Sequence, residues 1–139
     1  MQIHNLRVRD IMRTDVKTID GDTDLLEAAR LMYETGLSSL VIAPRDDRDA
    51  FGIITRKDIL EALLMEGREE LAPRVADMMT KPAITVGPQL SIDNCLLLMR
   101  TAGARRLPVV ENDRLVGIIT STDVFSRLVG AWERMGRNA

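Results

Sequence analysis

Two threonine–aspartate pairs are the residues of this chain best placed to do chemistry: Thr55-x-x-Asp58 and Thr120-x-x-Asp123. Each follows a short apolar run, Gly52-Ile-Ile or Gly117-Ile-Ile, and precedes a helical pattern. The spacing suits a helix cap, in which the threonine hydroxyl satisfies an orphan backbone N–H and the aspartate complements the positive end of the helix dipole. It also suits a second use, because a carboxylate turned outward accepts two hydrogen bonds from a vicinal diol. A reciprocal capping box favours Glu or Gln at the third helical position. The shorter aspartate leaves the second use open, and the two uses do not exclude each other.

The run Arg105-Arg106-Leu107-Pro108-Val109-Val110 is the next candidate. A guanidinium offers a charge-assisted fork to phosphate oxygens, and Arg106 is the stronger choice with Arg105 in reserve. The helix N-terminus near Ser121 can add backbone donors for an anion. The alternative is that these charges are simply solvated ahead of a strand. At the aligned positions the first half of the chain has Ser38-Ser39-Leu40-Val41, with neither arginine nor proline. Arg56 and Lys57, just after Thr55, are the residues available to compensate there. Two unequal sites are therefore expected, with one preferred.

The elements that must position these residues come twice. Val8-Arg-Asp-Ile-Met12 reappears as Val75-Ala-Asp-Met-Met79, a shift of 67 from position 8 to position 75. Phe51-Gly-Ile-Ile-Thr-Arg-Lys-Asp58 reappears as Val116-Gly-Ile-Ile-Thr-Ser-Thr-Asp123, a shift of 65. The difference falls in a polar turn, where length variation belongs. Each repeat reads as a short extended segment (Val16–Ile19 or Ala83–Val86), a helix, a hairpin of two strands and a closing helix. Thr18 and Thr85 match one another in the first segment. The first helix of each repeat carries Leu25, Ala28, Ala29 and Met32, or Ile92, Cys95, Leu96 and Met99, at helical spacing. Asp24 (with Glu27 as capping-box partner) and Ser91 stand at N-cap positions, and Gly36 and Gly103 at the helix ends. The closing helices carry Ile59, Leu60, Leu63 and Leu64, or Val124, Phe125, Leu128 and Val129 on their apolar stripes. The second stripe continues through Trp132 and Met135. The predicted organisation is repeat one at 8–66, a linker at 67–74 with Gly67 and Pro73, and repeat two at 75–135. The fold class is α/β, built from two β-α-β-β-α repeats.

Bulk properties narrow the function. The 139 residues are 45% hydrophobic and 29% charged, with a net charge of -2. That balance gives no electrostatic case for nucleic acid or an anionic membrane. One cysteine, Cys95, and one histidine, His4 in the N-terminal tail, exclude a disulfide within the chain and a Cys/His zinc site. No run approaches the roughly 20 apolar residues of a membrane span, and a soluble cytoplasmic protein is expected. No nucleophile–base pair, metal cluster or phosphate-cradling glycine loop argues for an enzyme.

The β-α-β-β-α order, with Asp-x-Met opening both repeats and Gly-Ile-Ile-Thr-x-x-Asp ending both, resembles the CBS domain pair, or Bateman module, from about Val8 to Val129. The resemblance implies a non-catalytic regulatory module whose repeats pack sheet to sheet with pseudo-twofold symmetry. It implies an adenosyl ligand, AMP, ADP, ATP or S-adenosylmethionine, in one or both clefts between the repeats, and no required cofactor. Asp58 and Asp123 would then hold the ribose hydroxyls, assisted by Thr55 and Thr120. Arg106 or Arg105, in the stretch with Pro108, would reach phosphate, with Ser39 at the matching place in repeat one. Thr18 and Thr85 would lie beside the adenine. Family members usually associate further, so a homodimer through helices Ile59–Met65 and Val124–Trp132 is expected, with an unknown effector protein as a further partner. The competing reading is a scaffolding dimerisation module without a small-molecule ligand.

Overall fold

The computed structural model describes residues 5–65, 67 and 73–137; His4 and linker positions 66 and 68–72 lie outside them. Along the chain the elements are α1 (Val8–Ile11), β1 (Thr18–Ile19), α2 (Leu25–Thr35), β2 (Ser39–Ile42), β3 (Gly52–Thr55) and α3 (Arg56–Leu60), the last continued by a π-helical turn (Glu61–Met65). Then come α4 (Val75–Met78), α5 (Ile92–Ala102), β4 (Arg106–Glu111), β5 (Arg114–Thr120) and α6 (Ser121–Arg137).

These elements form two compact units that divide the chain differently from the sequence repeats. The contiguous unit is residues 17–83, and the composite unit joins residues 1–16 to residues 84–139. Each opening Asp-x-Met helix thus belongs to the unit built on the other repeat. In the contiguous unit, β1 runs parallel to β2 and β2 antiparallel to β3. A parallel pair needs a crossover, and α2 supplies it. In the composite unit β4 and β5 form a hairpin. Its turn residues Asn112 and Asp113 both have positive φ, 52° and 63°, as a two-residue type I′ connection requires. The expected extended segment Ala83–Val86 contributes only one parallel bridge, Val86 to Val109. Pro82 and Pro88 bracket it and lack the N–H that a longer ladder needs. Thr85 therefore precedes a bridge instead of lying within a strand.

The cores show why the opening helices sit where they do. Val8 is buried with Ile92, Cys95, Met99, Leu107, Val109, Ile119 and Val124, all from the second repeat. Val75 is buried with Leu25, Ala28, Met32, Leu40, Ile42, Ile54 and Ile59, all from the first. Backbone bonds repeat the exchange at the 67-residue shift. Val8 N–H donates to the Leu90 carbonyl (2.9 Å) and Val75 N–H to that of Thr23 (2.9 Å). The recurring aspartate of the opening motif is a helix-start device. Arg7 N–H donates to Asp10 Oδ2 and Arg74 N–H to Asp77 Oδ2, each at 2.8 Å.

Most local expectations hold. Asp24 accepts from Leu26 N–H and Ser91 from Asn94 N–H, and Gly36 and Gly103 take the left-handed conformation that ends α2 and α5. The closing helix of the first repeat buries less than its expected stripe. Ile59 and Ala62 are buried, whereas Leu60, Leu64 and Met65 are exposed. Ile59, Ala62 and Leu63 face the core at ordinary helical spacing, so the apolar row read from sequence is wider than the face that is buried, and Phe125 at the place equivalent to Leu60 is exposed as well. Trp132 and Met135 are also exposed on α6.

Candidate functional site

Both Thr-x-x-Asp pairs sit where a strand hands over to a helix, and the hairpin register brings the basic-stretch positions beside them. Arg106 pairs with Thr120 in the β4–β5 ladder, and Ser39 with Thr55 in the β2–β3 ladder. The residue before each strand ties to the helix start. The Arg105 carbonyl accepts from Ser121 N–H (2.9 Å), and the Ser38 carbonyl from Arg56 N–H (3.1 Å). The sheet end therefore assembles Arg105, Arg106, Thr120 and Asp123 in one unit, and Ser38, Ser39, Thr55 and Asp58 in the other.

The aspartates are caps, but not identical ones. Thr55 N–H donates to Asp58 Oδ2 (2.8 Å), Thr55 Oγ1–H donates to the same oxygen (3.0 Å), and Asp58 N–H donates to Thr55 Oγ1 (3.2 Å). An aspartate thus closes a reciprocal capping box that the sequence pattern reserves for Glu or Gln. It can do so because the extended backbone at Thr55 brings its N–H close to the third helical side chain. In the composite unit, Thr120 Oγ1–H donates to Asp123 Oδ2 (2.8 Å) and Asp123 N–H to Thr120 Oγ1 (3.1 Å). Asp123 Oδ1 takes a further bond from Arg13 Nε, at 3.1 Å.

Arg13 is the functional candidate that sequence reasoning missed. It comes from the first repeat and reaches the second because Arg13 and Ile118 exchange backbone hydrogen bonds of 2.8 and 2.9 Å. The approach is close enough to require glycine next door, since a Cβ at Gly117 would stand 2.6 Å from the Arg13 carbonyl oxygen. At the equivalent place Thr80 pairs with Ile53 beside Gly52, and a threonine cannot provide the cation. The signal lay in the contrast between Met12-Arg13 and Met79-Thr80. Alignment of the repeats alone pairs these residues with each other, not with the aspartates they approach.

The other candidates divide between surface and core. Thr18 and Thr85 are exposed, Ser39 is half-buried, and Pro108 is buried in β4 with its carbonyl accepting from Val86 N–H (3.1 Å). Arg56 and Lys57 have other partners: Arg56 Nη2 donates to the Gly36 carbonyl (3.0 Å), and Lys57 faces Glu61 at 3.9 Å. Cys95 is buried, and desolvation pushes its thiol pKa up. Away from the sheet end, the Lys81 ammonium lies 2.7 Å from Asp49 Oδ2, and Arg45 donates to the same oxygen through its backbone N–H (2.8 Å) and Nε (3.2 Å). Lys81, reinforced by Arg45, holds the Asp49 carboxyl well below the usual carboxylate range. Among the described residues there is no group of three or more His, Cys, Asp or Glu able to hold a metal ion, and no helix long and apolar enough to cross a membrane.

The repeated unit, with its Thr-x-x-Asp sheet end, defines a family. The CBS domain profile matches residues 8–65 and 75–130, and the chain belongs to the CBS-domain family as a tandem pair, a regulatory module. The CBS domain pair of MJ0100, solved in complex with 5′-methylthioadenosine and S-adenosyl-L-methionine, is 30% identical, with a TM-score of 0.77 over 91% of this chain and 97% of that one. The hexameric CBS-CP12 protein from bloom-forming cyanobacteria is 33% identical, with a TM-score of 0.82 over 86% of this chain and 69% of that one. An inosine-5′-monophosphate dehydrogenase of Korarchaeum cryptofilum is 36% identical over 87% of this chain, which spans only 24% of the enzyme. Two other curated relatives are also longer, and the chain spans 63% and 25% of them.

Proposed function

We propose that this chain senses an adenosyl ligand, an adenine nucleotide or S-adenosylmethionine, and signals by a change of conformation or of oligomeric state. The observation that carries the reading is Asp123, a carboxylate at a sheet end with one oxygen bonded to Thr120 and the other to an arginine. A carboxylate accepts more hydrogen bonds than these two, and the capacity left over suits a ribose diol, while Arg105 and Arg106 enter β4 beside Thr120 with groups suited to phosphate. The MJ0100 pair, a structural relative, binds two adenosyl compounds, which supports the same ligand class here. Ligand would act by differential affinity for alternative states of the module, with a separate effector protein or the module's own assembly as output. The chemistry of an enzyme is assigned to none of its residues.

A homodimer through the Ile59–Met65 and Val124–Trp132 helices is part of the proposal. Leu60, Leu64 and Met65 on the first and Phe125 and Trp132 on the second are exposed, and tryptophan anchors interfaces well. The same exposed residues favour the second reading, a scaffold that dimerises without a small-molecule ligand. A thermal-shift series with AMP, ADP, ATP, S-adenosylmethionine and NAD separates the two. A ligand present at about 100-fold its Kd and binding only the folded state adds roughly 2.7 kcal/mol, a shift of several degrees. A selective shift that disappears in Asp123→Ala supports the sensor; protein confirmed empty and folded that responds to none of the five supports the scaffold.

A further inference from the structure

The geometry points to Arg13 as the residue that makes the Asp123 site select a ligand with an anionic 5′ group, an adenosine phosphate, over uncharged adenosine. The inference rests on the sensor reading proposed above. Three arginines have their backbone at the sheet end of the composite unit. Arg105 and Arg106 enter β4 beside Thr120, and Arg13 crosses β5 at Ile118 with its Nε 3.1 Å from Asp123 Oδ1. The equivalent positions of the contiguous unit are Ser38, Ser39 and Thr80, all uncharged. Its two nearby cations lie on α3 instead, with Arg56 bonded to the Gly36 carbonyl and Lys57 paired with Glu61. The difference in charge between the two Thr-x-x-Asp ends therefore comes from the sheet-end residues themselves.

The exposure of Arg13 suits this role. The Arg13 side chain is 58% exposed while that of Asp123 is 12% exposed, so the cation stays open to a second anion. The Nε edge holds the carboxylate, and the exposed guanidinium can meet a second anion without surrendering the first, since an arginine offers five donors. A ribose on Asp123 places its 5′ substituent among cations, and an adenosine phosphate gains charge-assisted hydrogen bonds that adenosine cannot make.

Isothermal titration calorimetry on the full chain, with adenosine, AMP and ATP as probes, tests this. In Arg13→Gln, AMP and ATP affinity should fall by about tenfold or more, adenosine affinity should stay within about threefold, and Arg13→Lys should lie between. Equal losses for adenosine and AMP would overturn the inference, because Arg13 would then only position Asp123. Unchanged or tighter AMP binding would also overturn it, showing that Arg13 competes with ligand for the carboxylate. The wild-type chain gives an independent reading should a variant fail to fold. Its AMP affinity should fall with added salt more steeply than its adenosine affinity, and equal slopes count against the role. A wild-type chain that binds none of the three probes defeats the sensor reading itself, a result distinct from all of these.

Discussion

Arg13 and Asp123 meet at 3.1 Å across 110 positions of sequence. The pair exists because the segment after the first Asp-x-Met helix lies along β5 of the second repeat, and it makes the Thr120–Asp123 end different from its counterpart. Both ends use their aspartate to start a helix, so capping alone cannot distinguish them. What separates them is the cation bonded to the carboxylate, Arg13, and the two arginines that enter β4 beside Thr120, where the other end has Thr80, Ser38 and Ser39.

Asp123→Asn should therefore impair adenosyl binding far more than Asp58→Asn. The amide keeps the shape and part of the cap but loses the charge that favours Arg13 and the ribose hydroxyls. A hydrogen bond to a charged group contributes about 1.5–3 kcal/mol, so a loss of at least tenfold in affinity is expected by calorimetry. Stability should change little, since an ion pair with one exposed partner contributes at most about 1 kcal/mol. Equal losses in the two variants would show that the arginines do not rank the two ends.

Gly117→Ala should be the more damaging of two matched glycine substitutions. Its Cβ would sit 2.6 Å from the Arg13 carbonyl oxygen, a backbone atom fixed by the bridge to Ile118. At Gly52 the nearest atom is Met79 Sδ, at 2.9 Å, with the Thr80 carbonyl oxygen at 3.4 Å. A methionine side chain can move aside, whereas the backbone at Arg13 must be displaced. Overpacking of this kind costs about 1–3 kcal/mol, with Gly117→Ala expected at or beyond the upper end and Gly52→Ala below it. Denaturant midpoints of the two variants provide the check.

Much of this was legible in the sequence because it is local. The α2 and α5 stripes, their Asp24 and Ser91 caps, Gly36 and Gly103, and the hairpin strands follow from spacing within about a dozen residues. The family followed from finding those patterns twice. Three things were not legible. The exchange of Val8 and Val75 between repeats leaves no local mark, because either valine is an acceptable core residue in either place. The glycine of Gly-Ile-Ile-Thr reads as strand punctuation until the chain that crosses it is known. The exposure of Leu60 and Leu64 is the third, because an apolar row wider than the buried stripe does not say which edge faces the core.

The exchanged valines offer a direct test of which residues stabilise which unit. Val8 and Val75 are both fully buried, and truncation of either to alanine should cost about 2 kcal/mol. Val8→Ala should chiefly reduce amide-exchange protection in β4 and β5, around Leu107 and Ile119. Val75→Ala should act on β2 and β3, around Leu40 and Ile54. If each variant instead weakened its own sequence repeat most, the division into contiguous and composite units would be wrong.

The Asp49 cluster should make part of the contiguous unit's stability depend on pH. Lys81, first, and the Arg45 backbone N–H lower the folded-state pKa of Asp49 from its ordinary 3.8. A depressed carboxyl pKa stabilises the fold above the unfolded-state value, and that contribution is lost as pH falls, because the unfolded chain takes up the proton first. Lys81→Met removes the principal cause. The variant should melt below the wild type at neutral pH, and the gap between the two should narrow as pH falls through about 4 toward 2. Melting temperatures of both proteins across that range decide the matter. A gap that stays constant with pH would mean that Lys81 stabilises through packing of its stem and not through the charge of Asp49.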